Sequence, residues 1–118
     1  MRVLVIDDNV DFAESMAMLL AVERHESFVC TISKDALTMI ESLRPDVVML
    51  DLAMPGLDGF QIAQQLRDRD DLRPRWLIAV SGYTDELHRA RVAKAGFDEY
   101  LLKPVDVPQL KALLAQGP

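Results

Sequence analysis

Four apolar residues, Val47-Val48-Met49-Leu50, run directly into Asp51, and a Pro/Gly-rich stretch, Met54-Pro55-Gly56-Leu57-Asp58-Gly59, follows almost at once. An apolar run this short, stopped by a turn, reads as a strand covered on both faces, as in a parallel sheet between helical layers. Ligands of such sheets bind outside the carboxyl ends of the strands, which is where Asp51 stands. A charged residue closing a buried strand is either a helix cap or a functional group. Pro55 and Gly56 intervene before the next helix, so Asp51 comes too early to cap it. Asp58, with Gln61 three residues on, fits that role. Asp51 is left to be explained by chemistry.

The rest of the chain repeats the pattern. Val3-Leu4-Val5-Ile6 is a second buried-type strand, ending in Asp7-Asp8-Asn9. A helix is expected over 10–22, with Phe12, Met16, Leu19 and Leu20 at helical spacing. Phe28-Val29-Cys30-Thr31 is shorter and more polar, which suits a sheet edge. Ser33 is read as the N-cap of a second helix whose apolar stripe is Ala36, Leu37, Ile40 and Leu43, and Pro45 stops it. The third helix runs from Gly59 to Arg67 on Phe60, Ile62, Ala63 and Leu66. The fourth strand covers 76–80 and ends in Ser81-Gly82. Thr84 is the expected cap of the fourth helix, with Asp85 and Glu86 in its first turn and Gly96 at its end. Tyr100-Leu101-Leu102 is the fifth strand, closed by Lys103-Pro104. A last helix starts near Asp106, takes Pro108 in its first turn and buries Leu110, Leu113 and Leu114. Five strands alternating with five helices predict an α/β doubly wound parallel sheet with right-handed crossovers, residues 1–118 forming one domain.

Charge and composition narrow the function classes. A net charge of -6 argues against a nucleic-acid footprint, which needs clustered Lys and Arg, so no direct nucleic-acid binding is expected. No apolar stretch approaches the ~20 residues of a membrane span, and no signal peptide is visible. The single cysteine, Cys30, cannot close an internal disulfide, which points to a cytoplasmic setting, and its apolar strand makes it a buried structural thiol. His25 and His88 have no visible partners and are expected on the surface.

A parallel sheet brings all its strand carboxyl ends to one edge. Asp7 and Asp8 arrive there from the first strand, Asp51 from the third, Ser81 from the fourth and Lys103 from the fifth. Crowded carboxylates repel one another unless a cation joins them, and a set of carboxylate oxygens selects a hard ion such as Mg²⁺. Lys103 is a point charge suited to a phosphate oxygen, and Ser81 can donate a hydroxyl hydrogen bond to the same group. Together they form a clamp for a phosphoryl group, with Asp51 as the nucleophile. Removing Lys103 is expected to cost the fold little.

These residues resemble the receiver domain of two-component response regulators. The likeness is carried by Val3 to Asn9, Asp51 with Met54 to Gly59, Ser81-Gly82, and Ala95-Gly96-Phe97-Asp98-Glu99-Tyr100-Leu101-Leu102-Lys103-Pro104. It covers nearly the whole chain, and the run from Ser81-Gly82-Tyr83 to Lys103-Pro104-Val105-Asp106 is similar to receivers of hybrid sensor kinases. The resemblance implies a flavodoxin-like fold with strand order 2-1-3-4-5. It further implies that Asp51 accepts a phosphoryl group from a histidine kinase or histidine phosphotransfer protein and that a downstream effector domain or protein reads the result. Mg²⁺ would be held by Asp7 or Asp8, Asp51 and the Ala53 carbonyl, the second acid of the pair being the more direct ligand. Lys103 would pair with the phosphoryl oxygens. Ser81 and Tyr100 match the two switch positions, and Ala53 and Tyr83 match positions that flank attacking water and tune phosphoryl lifetime. The Lys103-Pro104 bond is expected to be cis, and the readout face to be the fourth helix, fifth strand and fifth helix with Arg89, Arg91, Lys94 and Lys111. Serine stands at 81 where threonine is commoner, and Arg24-His25-Glu26-Ser27 fills a turn that often carries glycine.

Three rivals share the fold. An aspartyl-phosphate hydrolase needs a second acid two residues after its nucleophile at the end of the first strand, whereas here the acids are adjacent and Asn9 follows. A nucleotide or flavin binder needs a Gly- or Ser/Thr-rich phosphate loop, and Asp7-Asp8-Asn9-Val10-Asp11 repels phosphate instead. An unphosphorylated scaffold usually loses an acid or the lysine, and this chain keeps all of them. The expected protein is therefore a phosphoacceptor, not an enzyme acting on a separate substrate.

Overall fold

The computed structural model describes residues 1–82 and 86–117. The strands are β1 (Arg2–Ile6), β2 (Glu26–Cys30), β3 (Val47–Asp51), β4 (Trp76–Ser81) and β5 (Glu99–Leu102). Between and after them come the helices α1 (Val10–Val22), α2 (Ala36–Leu43), α3 (Gly59–Arg67), α4 (Glu86–Lys94) and α5 (Val107–Gln116). All pairings are parallel, in the order β2-β1-β3-β4-β5, as expected. From β1 the chain steps outward to β2 and then returns to lay β3 on the other side of β1. The crevice where the direction reverses opens between the carboxyl ends of β1 and β3.

Alternation along the strands sorts the core into two layers. Leu4, Ile6, Val48, Leu50, Leu77 and Ala79 pack with Ala36, Ile40, Ile62, Ala63, Leu66 and Val92, beneath α2, α3 and α4. Val3, Val5, Val47, Met49, Ile78 and Val80 face Ala13, Met16, Leu20, Leu110 and Leu114 of α1 and α5. Every residue of β3 and β4 is buried, which is why those strands lack polar alternation. Among the described residues no helix is long and apolar enough to cross a membrane.

Local signals behave largely as read. Asp58 and Gln61 form a reciprocal capping box at α3, and Gly96 takes φ +96 after α4. Gly59 has a different necessity: a Cβ there would lie 2.6 Å from the Asp51 carbonyl oxygen. Side-chain bulk is excluded because α3 starts directly beneath the end of β3. Cys30 is buried and its thiol donates to the Ile32 carbonyl at 3.3 Å; burial pushes its pKa up.

Three expectations need correction. β2 starts at Glu26, two residues early, because pairing with β1 in the register Arg2↔Glu26 extends it. Ser33 does not cap α2: it opens a 3₁₀ turn, Ser33–Asp35, and is buried. Its hydroxyl donates to the Pro55 carbonyl at 3.0 Å and accepts from the Leu57 amide at 3.2 Å, fastening the loop that follows Asp51. His25 is half-buried, with Nδ1 3.2 Å from the N-terminal ammonium; burial and that charge lower its pKa, against the pull of Glu23. In the turn beside it Arg24 takes φ +68, the left-handed conformation that glycine adopts without strain. The expected cap Thr84, its neighbour Asp85 and the proposed lifetime position Tyr83 lie outside the described residues.

Candidate functional site

β1, β3, β4 and β5 each deliver a polar residue, at or just past the strand end, to the same edge. Asp7 follows β1 and is buried; Asp8 is exposed; Asp51 closes β3 with only 5% of its surface accessible. Asp7, Asp8 and Asp51 each offer a carboxylate oxygen within 4.8 Å of the others. Asp7 Oδ1 accepts the Asn9 amide at 2.9 Å, and Asn9 in turn caps α1 through the Phe12 amide at 3.1 Å. Asp51 Oδ1 accepts the Ala53 amide at 3.2 Å. These local bonds aim the remaining oxygens into the crevice.

Lys103 supplies the counter-charge. Its Nζ lies 2.8 Å from Asp7 Oδ2 and 3.7 Å from Asp51 Oδ2, and 4.6 Å over the Phe12 ring. The Lys103–Pro104 peptide is cis, as the resemblance implies. One ammonium does not balance three carboxylates. Burial pushes the Asp51 carboxyl up to about 6, with the charge on Asp7 adding to the rise while the Ala53 amide and Lys103 oppose it. A second cation fits this site. The donors are hard oxygens, and Asp7 Oδ2 is buried against the lysine with no hydrogen bond from the described residues beyond that ion pair.

Ser81, at the end of β4, is buried, and its Oγ is 3.1 Å from His88 Nε2 on α4. His88 is therefore not the exposed, partnerless residue expected. It is half-buried, edge-on to Phe60 of α3 and to Tyr100 of β5, each with ring centroids 5.9 Å away. No spacing rule ties the end of a strand to a position in the following helix, so the pattern of residues held no signal for this contact. Tyr100 is half-buried with the Arg89 guanidinium 5.0 Å over its ring. Beside Asp51, a cavity of about 280 Å³ is lined by Leu52, Ala53, Asp58, Phe60, His88 and Arg91.

The basic residues expected on one face divide. Arg89 lies against β5, but Arg91 stands 3.7 Å over the Phe60 ring and, with Lys94, borders the groove between α3 and α4. Lys111 of α5 pairs with Glu23 at 2.8 Å, just past the end of α1. Helical rotation separates positions 89 and 91 by about 200°, which places them on opposite sides of α4.

This edge of converging carboxylates with Lys103, on a doubly wound sheet of this order, is the architecture of a signalling receiver domain. The chain belongs to the response regulator receiver domain family, whose model it matches over residues 3–115. It is 33% identical over 116 residues to an uncharacterized 14.6 kDa protein of Leptolyngbya boryana, covering 98% of this chain and 88% of that one. It is also 33% identical to the DNA-binding response regulator MtrA of Mycolicibacterium paratuberculosis, covering 94% of this chain but 48% of that protein. The chain thus spans about half the length of MtrA. Among solved structures, the signal receiver domain of a DNA-binding response regulator from Colwellia psychrerythraea 34H superimposes with a TM-score of 0.91 at 26% identity, covering 98% and 96% of the two chains. Receivers of this family are signalling domains of two-component systems, not classical enzymes.

Proposed function

We propose that residues 1–118 act as one phosphoacceptor unit in which Asp51 takes a phosphoryl group from a phosphohistidine of a histidine kinase or histidine phosphotransfer protein. A carboxylate oxygen of Asp51 attacks phosphorus, the P–N bond to the imidazole breaks, and its electron pair returns to the ring nitrogen. The observation that carries this reading is the convergence of Asp51, Asp7 and Asp8 within 4.8 Å, with Lys103 Nζ 3.7 Å from the Asp51 carboxylate. Such a transfer depends on positioning and charge neutralisation more than on covalent machinery. Lys103 meets the phosphoryl oxygens, and the Ala53 amide keeps the carboxylate oriented. Mg²⁺, held by Asp7, Asp8, Asp51 and the Ala53 carbonyl, would supply the positive charge that the lysine alone leaves short.

The added phosphoryl group carries close to two negative charges. Ser81 donates its hydroxyl to that group, Tyr100 responds, and the surface of α4, β5 and α5 changes for a downstream effector domain or protein. Ala53 and Tyr83 set the lifetime of the acyl phosphate.

Incubation with a small acyl phosphate donor and Mg²⁺, followed by mass mapping, tests the assignment. Modification at Asp51 alone is expected, lost in Asp51→Asn and on chelation. Full labelling of the Asn variant, or labelling indifferent to chelator, would overturn it.

A further inference from the structure

Ser81 Oγ is engaged on the α4 side, 3.1 Å from His88 Nε2. The imidazole is a wedge. Phe60 and Tyr100 meet it edge-on at interplanar angles of 85° and 78°, and Arg91 and Arg89 cover those two rings in turn. A ring held from both sides cannot follow Ser81 freely, so movement of the hydroxyl toward a phosphoryl group stretches this contact.

We propose that His88 is the positioning residue of the switch: its imidazole holds the Ser81 hydroxyl toward α4 until a phosphoryl group on Asp51 draws it away. The inference rests on Asp51 being the phosphoacceptor. Release of the imidazole gives α4 a direct report of the event, since His88 belongs to that helix. It also bears on Tyr100, whose hydroxyl is buried with no hydrogen-bond partner among the described residues. A buried hydroxyl without a partner is unfavourable, and a neutral imidazole has both a donor and an acceptor. Once separated from Ser81, His88 stands beside the ring that carries that orphan, which links the two switch positions through one side chain.

Titration of the metal-loaded protein with beryllofluoride, read by backbone amide shifts in α4 and β5, tests this. His88→Phe keeps a ring between Phe60 and Tyr100 but removes the bond, so the midpoint should fall roughly two- to tenfold, the change that loss of one net hydrogen bond gives. His88→Gln restores a polar group at the reach of Nε2 and should return the midpoint to within twofold of wild type. In a Ser81→Ala background His88→Phe should have no effect. His88→Leu serves if the Phe variant does not fold. The proposal is overturned if His88→Phe leaves the midpoint unchanged or raises it, if Gln behaves like Phe, or if the Phe effect survives in Ser81→Ala. A wild-type protein that shows no response at all overturns the phosphoacceptor reading, and this proposal with it; a normal wild-type titration indifferent to residue 88 overturns this proposal alone.

Discussion

Replacing Asp51 by Asn should make the metal-free protein more stable, and the gain should depend on pH. The carboxyl is nearly inaccessible, adjoins Asp7 and is pushed from 3.8 to about 6, so keeping it ionised in the folded state at neutral pH costs on the order of 3 kcal/mol. The substituted asparagine retains an oxygen for the Ala53 amide and carries no charge. The sign follows from proton binding. Below the unfolded value both states hold the proton and Asp51 contributes nothing. Between 3.8 and about 6 the unfolded chain has lost it while the folded protein keeps it, so stability falls as pH rises. Above about 6 the penalty is fully present. Unfolding entropy of ~2.1 cal/mol/K per residue gives about 250 cal/mol/K for this chain, or roughly 4 °C per kcal/mol. Asp51→Asn should therefore raise Tm by about 8–12 °C at pH 7.5 in chelator, with the gap closing toward pH 4.5. Added Mg²⁺ should narrow the gap at pH 7.5 by stabilising the wild type selectively. Thermal unfolding followed by circular dichroism across this range decides the matter. A gap of equal size at both pH values, or an Asn variant less stable than wild type at pH 7.5, would refute the account of a buried, underneutralised carboxylate cluster.

Lys103→Ala, which the order of residues suggested would cost little, should instead lower metal-free stability by roughly 1–3 kcal/mol, because it strips buried Asp7 of a cation 2.8 Å away; denaturant titration in chelator measures this. Ala53→Asn should speed loss of phosphate from labelled Asp51 by placing an amide where the methyl group cannot orient water, and an unchanged or slower decay, followed by mass spectrometry, would count against the lifetime role. Arg24→Gly should stabilise the protein by about 0.5–1 kcal/mol by relieving a φ of +68 at the turn after α1, as judged by the shift in denaturant midpoint.

Much of this protein follows from patterns that are local in the chain. Four buried-type runs, each closed by a polar residue, sufficed to bring Asp7, Asp8, Asp51 and Lys103 to one edge, because parallel strands necessarily align their carboxyl ends. The boundaries of α1 and α3 and the Asp58–Gln61 capping box were equally legible, since helical periodicity and capping act within a few residues. What tertiary structure decided is the choice of partner by polar side chains. Ser33 has the composition of a helix cap, yet its hydroxyl serves Pro55 and Leu57, more than twenty residues away. His88 looked like a surface residue and became the partner of Ser81, while Arg91 left the face it was expected to share with Arg89. Lys103 reads in sequence as a charge for the phosphoryl group, and the packed fold sets it 2.8 Å from a buried Asp7. The physical reason is common to all four. Apolar burial is averaged over a whole face and survives small errors of placement, whereas a hydrogen bond or ion pair is decided by a few tenths of an ångström between elements that only the packed fold brings together.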